Sequence, residues 1–366
     1  MTTIETAQTT TGSGAARPAG PRFAVGTRRP MDADEIAATG LRDRWYPILP
    51  SRMVEPGAMV KVTRLGVDWL LFRDARGGVH MLEDRCPHRS APLSVGQHLG
   101  DRVACLYHGV QVDGTGTVVS VPGMPGCALE GKRATASLSV VEAADTIFAF
   151  VPLTHDSVPT PFVLPDRLAD EEVSWFPNYA EWAGPWRFYM DNVLDPMHGA
   201  FLHRNSHSMF GGDISARFRI RETDRGFFFE KTDQRGVNFD WVEFVRGSMD
   251  YVDLEIPYAP NAGPGGVFGI VGMCTPIDRD HSAIFHWRTR RVSGWEREAW
   301  RFLYRTRLEE RHWEVLEQDR AVLEALAADA DVEEHLYQHD LGVSRIRRIY
   351  RADAKQQAAV LAGVPA

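Results

Sequence analysis

Two groups of residues in this sequence have types and spacings that could do chemistry. The first is Cys86-Pro87-His88, then sixteen intervening residues, then Cys105-Leu106-Tyr107-His108. Thiolates hold ferric iron, and replacing two of them with neutral imidazoles raises the potential of an iron–sulfur centre. A two-iron, two-sulfide cluster with cysteines on one iron and histidines on the other needs two of each, which these pairs supply. A two-Cys, two-His zinc site is also chemically possible, although zinc fingers usually keep cysteine pairs apart from histidine pairs. Buried cysteines beside incidental histidines are the plainest alternative. The mixed pairs favour iron–sulfur, with zinc next. Cys127 and Cys274 have no such partners and read as structural.

The second group is Asp191-Asn192-Val193-Leu194-Asp195-Pro196-Met197-His198-Gly199-Ala200-Phe201-Leu202-His203, with His207 beyond it. Non-haem iron(II) sites take two histidines and a carboxylate on one face and leave the other open. His198 and His203 are five apart, about 140° around an ideal helix, so they meet at one metal only if the helix is distorted. His203 and His207, four apart, share a face without distortion. Asp195 lies three residues before His198, where its carboxylate could orient the imidazole or cap the helix start. A carboxylate from a late helix would complete the set. There Glu309, Glu310, Glu314, Glu317, Asp319 and Glu324 crowd one another, and the residues alone do not single one out.

The surrounding elements must position these groups. The first thirty or so residues are rich in Thr, Ala, Gly and Pro without apolar periodicity, and a flexible tail is expected over residues 1–40. Neither a secretory signal nor a mitochondrial presequence is expected there. Residues 41–155 read as short strands. Val60 to Phe72 and Val79 to Leu82 flank the turn string 74–78, Val110 to Val121 folds around 113–116, and Ser139 to Val151 is an apolar strand pair. The Pro-rich stretch 152–165 reads as a linker. Over 156–366 the pattern changes to helix at Trp186 to Asn205, hairpin strands at Ile214 to Glu222 and Gly226 to Thr232, and strands at Val267 to Thr275 and Ala283 to Val292. A helix follows from Trp295 to Ala328. The fold class is α+β, an all-β unit followed by an antiparallel sheet with helices.

With 366 residues, 44% hydrophobic and 25% charged, the chain is ordinary for a globular protein of two domains. Its net charge of −8 argues against a nucleic-acid surface. No apolar run is long enough to span a membrane. Four scattered cysteines do not make a disulfide framework. A cytoplasmic protein is expected.

Cys86-Pro87-His88-Arg89 and Cys105-Leu106-Tyr107-His108-Gly109 resemble the Rieske motif of ring-hydroxylating and demethylating oxygenases, with Pro122-Gly123 similar to the loop that covers the cluster. Leu106 and Val110 depart from the Pro and Trp often found there, at positions that are not ligands. Asp195-x-x-His198-x-x-x-x-His203 resembles the mononuclear iron motif of the same family, in a version close to vanillate and dicamba O-demethylases. The resemblance implies that Cys86, His88, Cys105 and His108 hold a [2Fe-2S] cluster. It assigns His198 and His203 to Fe(II), leaves His207 outside the set, and makes Asp319, in Glu317-Gln318-Asp319-Arg320, the third ligand. It implies a helix-grip-like catalytic domain and a head-to-tail homotrimer. In that ring Asp195 bridges His108 of one chain to His198 of the next. Asn192 would border the oxygen or substrate pocket.

The implied activity is the terminal oxygenase of a multicomponent system. Electrons from NAD(P)H would arrive through a reductase and possibly a ferredoxin, and O2 would hydroxylate a small aromatic or heterocyclic compound, by ring attack or O-/N-demethylation. A Rieske-type electron carrier without oxygen chemistry is the alternative. Pocket candidates are Phe201, Met209, Phe210, Trp241, Phe268, Ile270, Phe285, His286 and Trp287. His286 is the polar group among them able to meet a ligand carboxylate or hydroxyl, and no arginine can be placed in the pocket from sequence.

Overall fold

The computed structural model describes residues 24–27, 30–205, 215–236, 239–258, 265–327 and 329–363. Period-two apolar alternation and Gly/Asp turns fold the first part into two sheets. The larger joins β1 (Arg44–Pro50), β2 (Met59–Arg64), β3 (Val67–Arg73), β4 (Val79–Glu83), β9 (Ser137–Ala143) and β10 (Thr146–Val151) in the order β1-β10-β9-β4-β3-β2. The smaller runs β5-β6-β7-β8, from Gln97–His98, Arg102–Ala104, Gln111–Asp113 and Val118–Ser120. Val60 to Phe72 is thus itself a hairpin, turning at Leu65-Gly66. In the next turn Asp74 Oδ1 accepts from the N–H groups of Arg76 and Gly78 at 2.8 and 2.9 Å, an Asx turn that fixes the β3–β4 register.

The second part is a seven-stranded antiparallel sheet. Its strands are β11 (Val173–Trp182), β12 (Phe218–Thr223), β13 (Gly226–Lys231), β14 (Trp241–Val245), β15 (Tyr251–Pro257), β16 (Val267–Pro276) and β17 (Ser282–Arg291), in the order β11-β17-β16-β15-β14-β13-β12. Eight α-helices are described: α1 (Ala33–Thr39), α2 (Asp166–Ala169), α3 (Trp186–Val193), α4 (His198–Leu202), α5 (Gly294–Leu303), α6 (Glu309–Leu323), α7 (Ala330–Glu333) and α8 (Leu341–Leu361). Among the described residues, no helix is long and apolar enough to cross a membrane.

β17 is buried on both faces. Ile284 joins the core under the helices, while Ala283, Phe285 and Trp287 alternate to the opposite side. There they pack with Trp45, Phe148 and Phe150 of the first sheet, and Trp287 Nε1 donates to the Ala144 carbonyl at 3.0 Å. Phe285 and Trp287 therefore hold the two sheets together and do not face a pocket. An apolar strand buried on both sides gives no alternation from which its inner face could be read.

Two expectations change. The expectation of a flexible tail over 1–40 does not hold for Asp32 to Gly40, which form α1 and its caps. That helix is capped by Asp32, whose side chain accepts from Glu35 N–H at 2.8 Å, and it buries Met31 and Ile36 in the core beside α8. A helix of about two turns with one large apolar side chain, Ile36, carries no readable periodicity. Residues 1–23 lie outside the described residues. The single helix expected from Trp186 to Asn205 is two, broken across Leu194–Met197, where Pro196 cannot supply the N–H a continuous helix needs.

Candidate functional site

The first constellation lies at the tip of the smaller sheet, on two loops of matching geometry. In one, Cys86 N–H donates to Ala91 and Ser90 N–H to Cys86, at 2.8 and 2.9 Å. In the other, Cys105 N–H donates to Val110 and Gly109 N–H to Cys105, at the same distances. Ser90 and Gly109, each four residues past its cysteine, both take left-handed φ, at 60° and 71°. This repeat escaped the sequence reading, because only one of the two positions is a glycine.

Both thiols point inward and are buried, while both imidazoles are exposed, with ring centroids 4.6 Å apart and edge to face. Burial pushes the Cys86 thiol up, and the neighbouring Cys105 adds to this, while the backbone N–H groups of His88 and Arg89 point at its sulfur and act the other way. A buried thiol pair opposite an exposed imidazole pair fits a [2Fe-2S] cluster with sulfur ligands on its inner iron and nitrogen ligands on its outer one. Pro122 packs 3.5 Å from where a Gly109 side chain would start, so the loop 122–124 lies against this tip. Leu106 (73% exposed), Tyr107 and Met124 (67% exposed) surround the imidazoles with apolar surface.

The second constellation is assembled by the helix break. His198 opens α4, and His203 follows its end with φ −102° and ψ 17°, off the helical path. That departure brings together two histidines that a regular helix would hold apart. Asp319 comes from α6. Its Oδ1 is 3.0 Å from His203 Nε2 and 3.5 Å from His198 Nε2, and Asn192 Nδ2 donates to the same oxygen at 3.3 Å. One ligand atom from each of His198, His203 and Asp319 lies within 4.8 Å of the others, the one such trio among the described residues. His207 lies outside the described residues.

The remaining ring nitrogens are occupied. His203 Nδ1–H donates to Gln318 Oε1 at 2.8 Å, and His198 Nδ1–H donates to the main-chain carbonyl of Asp195. Both Nε2 atoms are thereby turned toward Asp319. The Asp195 carboxylate does not take the ring N–H. Its Oδ2 stays 3.9 Å from His198 Nδ1, and its Oδ1 accepts from Met197 N–H at 2.9 Å.

Burial opposes ionisation of Asp319, but the hydrogen bonds and charge of His198 and His203 outweigh it and hold the carboxyl well below the usual range. Burial pulls the His198 imidazole down, and the bond to Asp319, with the charges of Asp319 and Asp195, lifts it above its ordinary value. Two imidazoles and a carboxylate aimed at one point, each steadied from behind, fit a divalent iron.

The pocket beside this trio is walled by Val252, Leu254, Ile256, Phe268 and Ile270, with Tyr189, His286, Arg288 and His312. Of the residues read from sequence, Phe268, Ile270 and His286 line it. Phe201 is 61% exposed and Trp241 packs edge to face with Phe228, neither lining the pocket, and Met209 and Phe210 lie outside the described residues. The Tyr189 hydroxyl is bonded to His286 Nε2, so that nitrogen is not open to a ligand. Burial, reinforced by the Arg288 charge, pulls the His286 imidazole down to about 3, so it is neutral at physiological pH. Gly272 on β16 makes this contact possible, since a Cβ there would lie 2.5 Å from the Tyr189 oxygen. Sequence reasoning missed Tyr189, Arg288 and Gln318. The one available signal was the spacing of Arg288 two residues from His286 on the same strand.

A paired-thiol, paired-imidazole loop tip on a small β-unit, followed by a two-histidine, one-carboxylate trio under an antiparallel sheet, describes a chain with two candidate iron centres. Residues 44–139 match the Rieske [2Fe-2S] domain, and residues 182–356 match the vanillate O-demethylase oxygenase C-terminal domain. The chain belongs to the Rieske non-haem iron oxygenases.

Among similar proteins, the iron–sulfur subunit TsaM1 of the toluene-4-sulfonate monooxygenase system of Comamonas testosteroni is 32% identical over 44% of this chain and 46% of its own length. The terminal oxygenase component CarAa of carbazole 1,9a-dioxygenase from Sphingomonas sp is 33% identical over 49% and 47%. The alignments to the first relatives span between 36% and 47% of those relatives' own length. A carbazole-bound oxygenase of carbazole 1,9a-dioxygenase, solved in complex with its ferredoxin, shares the fold with a TM-score of 0.72. It is 20% identical and covers 91% of this chain and 96% of that one.

Proposed function

We propose that this protein is the terminal oxygenase component of a multicomponent Rieske system acting on a small aromatic or heterocyclic compound. The observation that carries the reading is the convergence of His198 Nε2, His203 Nε2 and an Asp319 oxygen at the mouth of an apolar pocket. When bound, the two iron centres supply stored electrons and activation of dioxygen. The chain's own residues do the rest. Cys86, Cys105, His88 and His108 hold the cluster, with the imidazoles outermost. His198, His203 and Asp319 hold iron(II), and Gln318 and the Asp195 carbonyl fix the two rings. Asn192 steadies the Asp319 carboxylate at the pocket edge, and the aliphatic and aromatic walls exclude water and favour a flat apolar ring.

Asp195 is assigned the bridge between chains in a head-to-tail trimer, receiving His108 of a neighbour. Its carboxylate is partly exposed and leaves its own His198 ring to the main chain, so it is available to another molecule. A ferredoxin, fed by a reductase from NAD(P)H, is the proposed electron donor. The exposed Leu106, Tyr107 and Met124 around the imidazoles suit such a transient partner.

Metal analysis tests the reading. The purified protein should carry about three irons per chain and a reddish-brown iron–sulfur spectrum. His203→Ala should retain about two with the spectrum unchanged, and should lose O2-dependent hydroxylation. About two irons in the unaltered protein would make it an electron carrier.

A further inference from the structure

The pocket contains a buried cation that no carboxylate among the described residues pairs with. Arg288 on β17 is 4% exposed and lines the same cavity as His198, His203 and Asp319. Among the described residues no hydrogen-bond acceptor or carboxylate engages its guanidinium, and its Nε is buried without a partner. Asp319, the nearest acid to act on it, is already bonded to His198, His203 and Asn192. The other groups around Arg288 are the hydroxyls of Tyr189, Tyr258 and Tyr304, which burial keeps protonated. His286 is neutral, and its Nδ1 is likewise buried without a partner.

A buried charge is tolerated when something of opposite sign pairs with it. Among the described residues lining this cavity the one carboxylate is Asp319, which is committed to His198 and His203, and a divalent metal at the trio would add positive charge. The rest of the lining is mostly hydrocarbon, from Val252, Leu254, Ile256, Phe268 and Ile270, with His312 beside them. We infer that the missing partner is the substrate, an aromatic monoanion whose ring lies against Phe268, Leu254 and Ile270 and whose carboxylate or sulfonate takes the planar fork of Arg288. Arginine is the side chain best matched to this task, because its parallel N–H groups meet two oxygens of one head group. The inference rests on reading this pocket as the oxygenase site, and it makes Arg288 the residue that sets substrate charge.

Binding tests it independently of turnover. The full-length iron-loaded protein is titrated calorimetrically with benzoate, benzenesulfonate and the neutral isosteres benzamide and benzenesulfonamide. At least one anion should bind about 10- to 100-fold more tightly than its isostere, the size of a charge-assisted hydrogen bond. Whichever anion binds better identifies the head group. Arg288→Met, close in volume and uncharged, should cut the preference to within about twofold and should melt no lower than the parent, because it removes an uncompensated buried charge. Arg288→Lys should keep a preference for anions of smaller size. Equal binding of neutral and anionic rings, failure of both anions to bind, or a preference that survives Arg288→Met would overturn the inference. Anion selectivity without O2 uptake would instead leave Arg288 in place and remove the oxygenase reading. Turnover of neutral rings alone would do the reverse.

Discussion

Gln318 shares a helix with Asp319 and reaches the back of His203, so one turn of α6 supplies both a proposed ligand and the brace for another. Loss of such a brace typically costs about 10- to 100-fold in metal affinity. Gln318→Ala should release the mononuclear iron to a mild chelator at a correspondingly lower concentration while the cluster spectrum stays intact. Retention of iron like that of the parent would show that packing alone orients His203. The raised pKa of His198 adds a pH dependence. Its Nε2 must lose a proton before it can ligate, so iron affinity should climb as pH rises through and beyond the ordinary histidine value of about 6.5. In the metal-free protein the same shift contributes stability below that value and loses it as pH rises through the folded-state pKa. The depressed Asp319 contributes stability above the ordinary carboxylate value of about 3.9 and loses it as pH falls through its own folded-state pKa. Melting temperature against pH, with and without iron, reads both. At this scale the four proposed cluster ligands could be picked out because cysteine and histidine in mixed pairs have few other uses. Asp319 was legible only through a family likeness, because Glu314, Glu317 and Glu324 offer the same chemistry to a reader who cannot see which one points inward. Arg288 could not be placed for the converse reason. On a strand buried on both faces, a charged residue gives no sign of which side it serves.

The elements explain how a spacing that should fail succeeds. Five residues separate His198 from His203, and the chain resolves the mismatch by ending α3 at Val193, restarting at His198 and leaving the helix before His203. Pro196 was visible as a helix starter. That the break lies in the middle of the predicted element could not be read, since apolar spacing is similar on both sides. The sheet makes the complementary contribution. β16 and β17 are registered so that Gly272 faces His286, and the missing side chain leaves room for Tyr189 to reach that ring from α3. Gly272→Ala would place a methyl 2.5 Å from the Tyr189 oxygen and 2.9 Å from Val252 Cγ2, in rigid surroundings. The expected cost is about 1–3 kcal/mol, typical of overpacking. It should read as a lower melting temperature together with weakened ligand binding, because α3 also carries Asn192. A variant as stable as the parent would mean that the α3–sheet contact is softer than its geometry implies.

At the scale of the whole molecule the two centres belong to different ends of the chain's architecture. The imidazoles of His88 and His108 are exposed at a loop tip of the smaller sheet, while the histidine–carboxylate trio is enclosed between α3, α4, α6 and the seven-stranded sheet. Seams between the two large sheets are stiff. Arg64 bonds the Tyr179 hydroxyl at 2.9 Å, Thr275 bonds the Pro47 carbonyl at 2.6 Å, and the Phe285 and Trp287 cluster fills the gap. These contacts argue against one end swinging to the other, and in the proposed trimer the electron would instead cross between chains. If electrons pass from the tip of one chain to the trio of the next, chains broken at opposite ends should repair each other. Cys86→Ser removes the cluster and His203→Ala removes the iron, so each variant alone should be inactive. Co-expressed in equal amounts, they form rings in which about a quarter of all junctions join an intact tip to an intact trio, for random heterologous assembly. Hydroxylation should recover to about that fraction of the parent rate per chain, and it should vanish again when Asp195→Asn is placed on the chain that keeps its iron. Mixed assemblies that stay inactive, although mass measurement shows them to be mixed, would mean that each chain uses its own cluster, and the bridging role of Asp195 would fall with the ring.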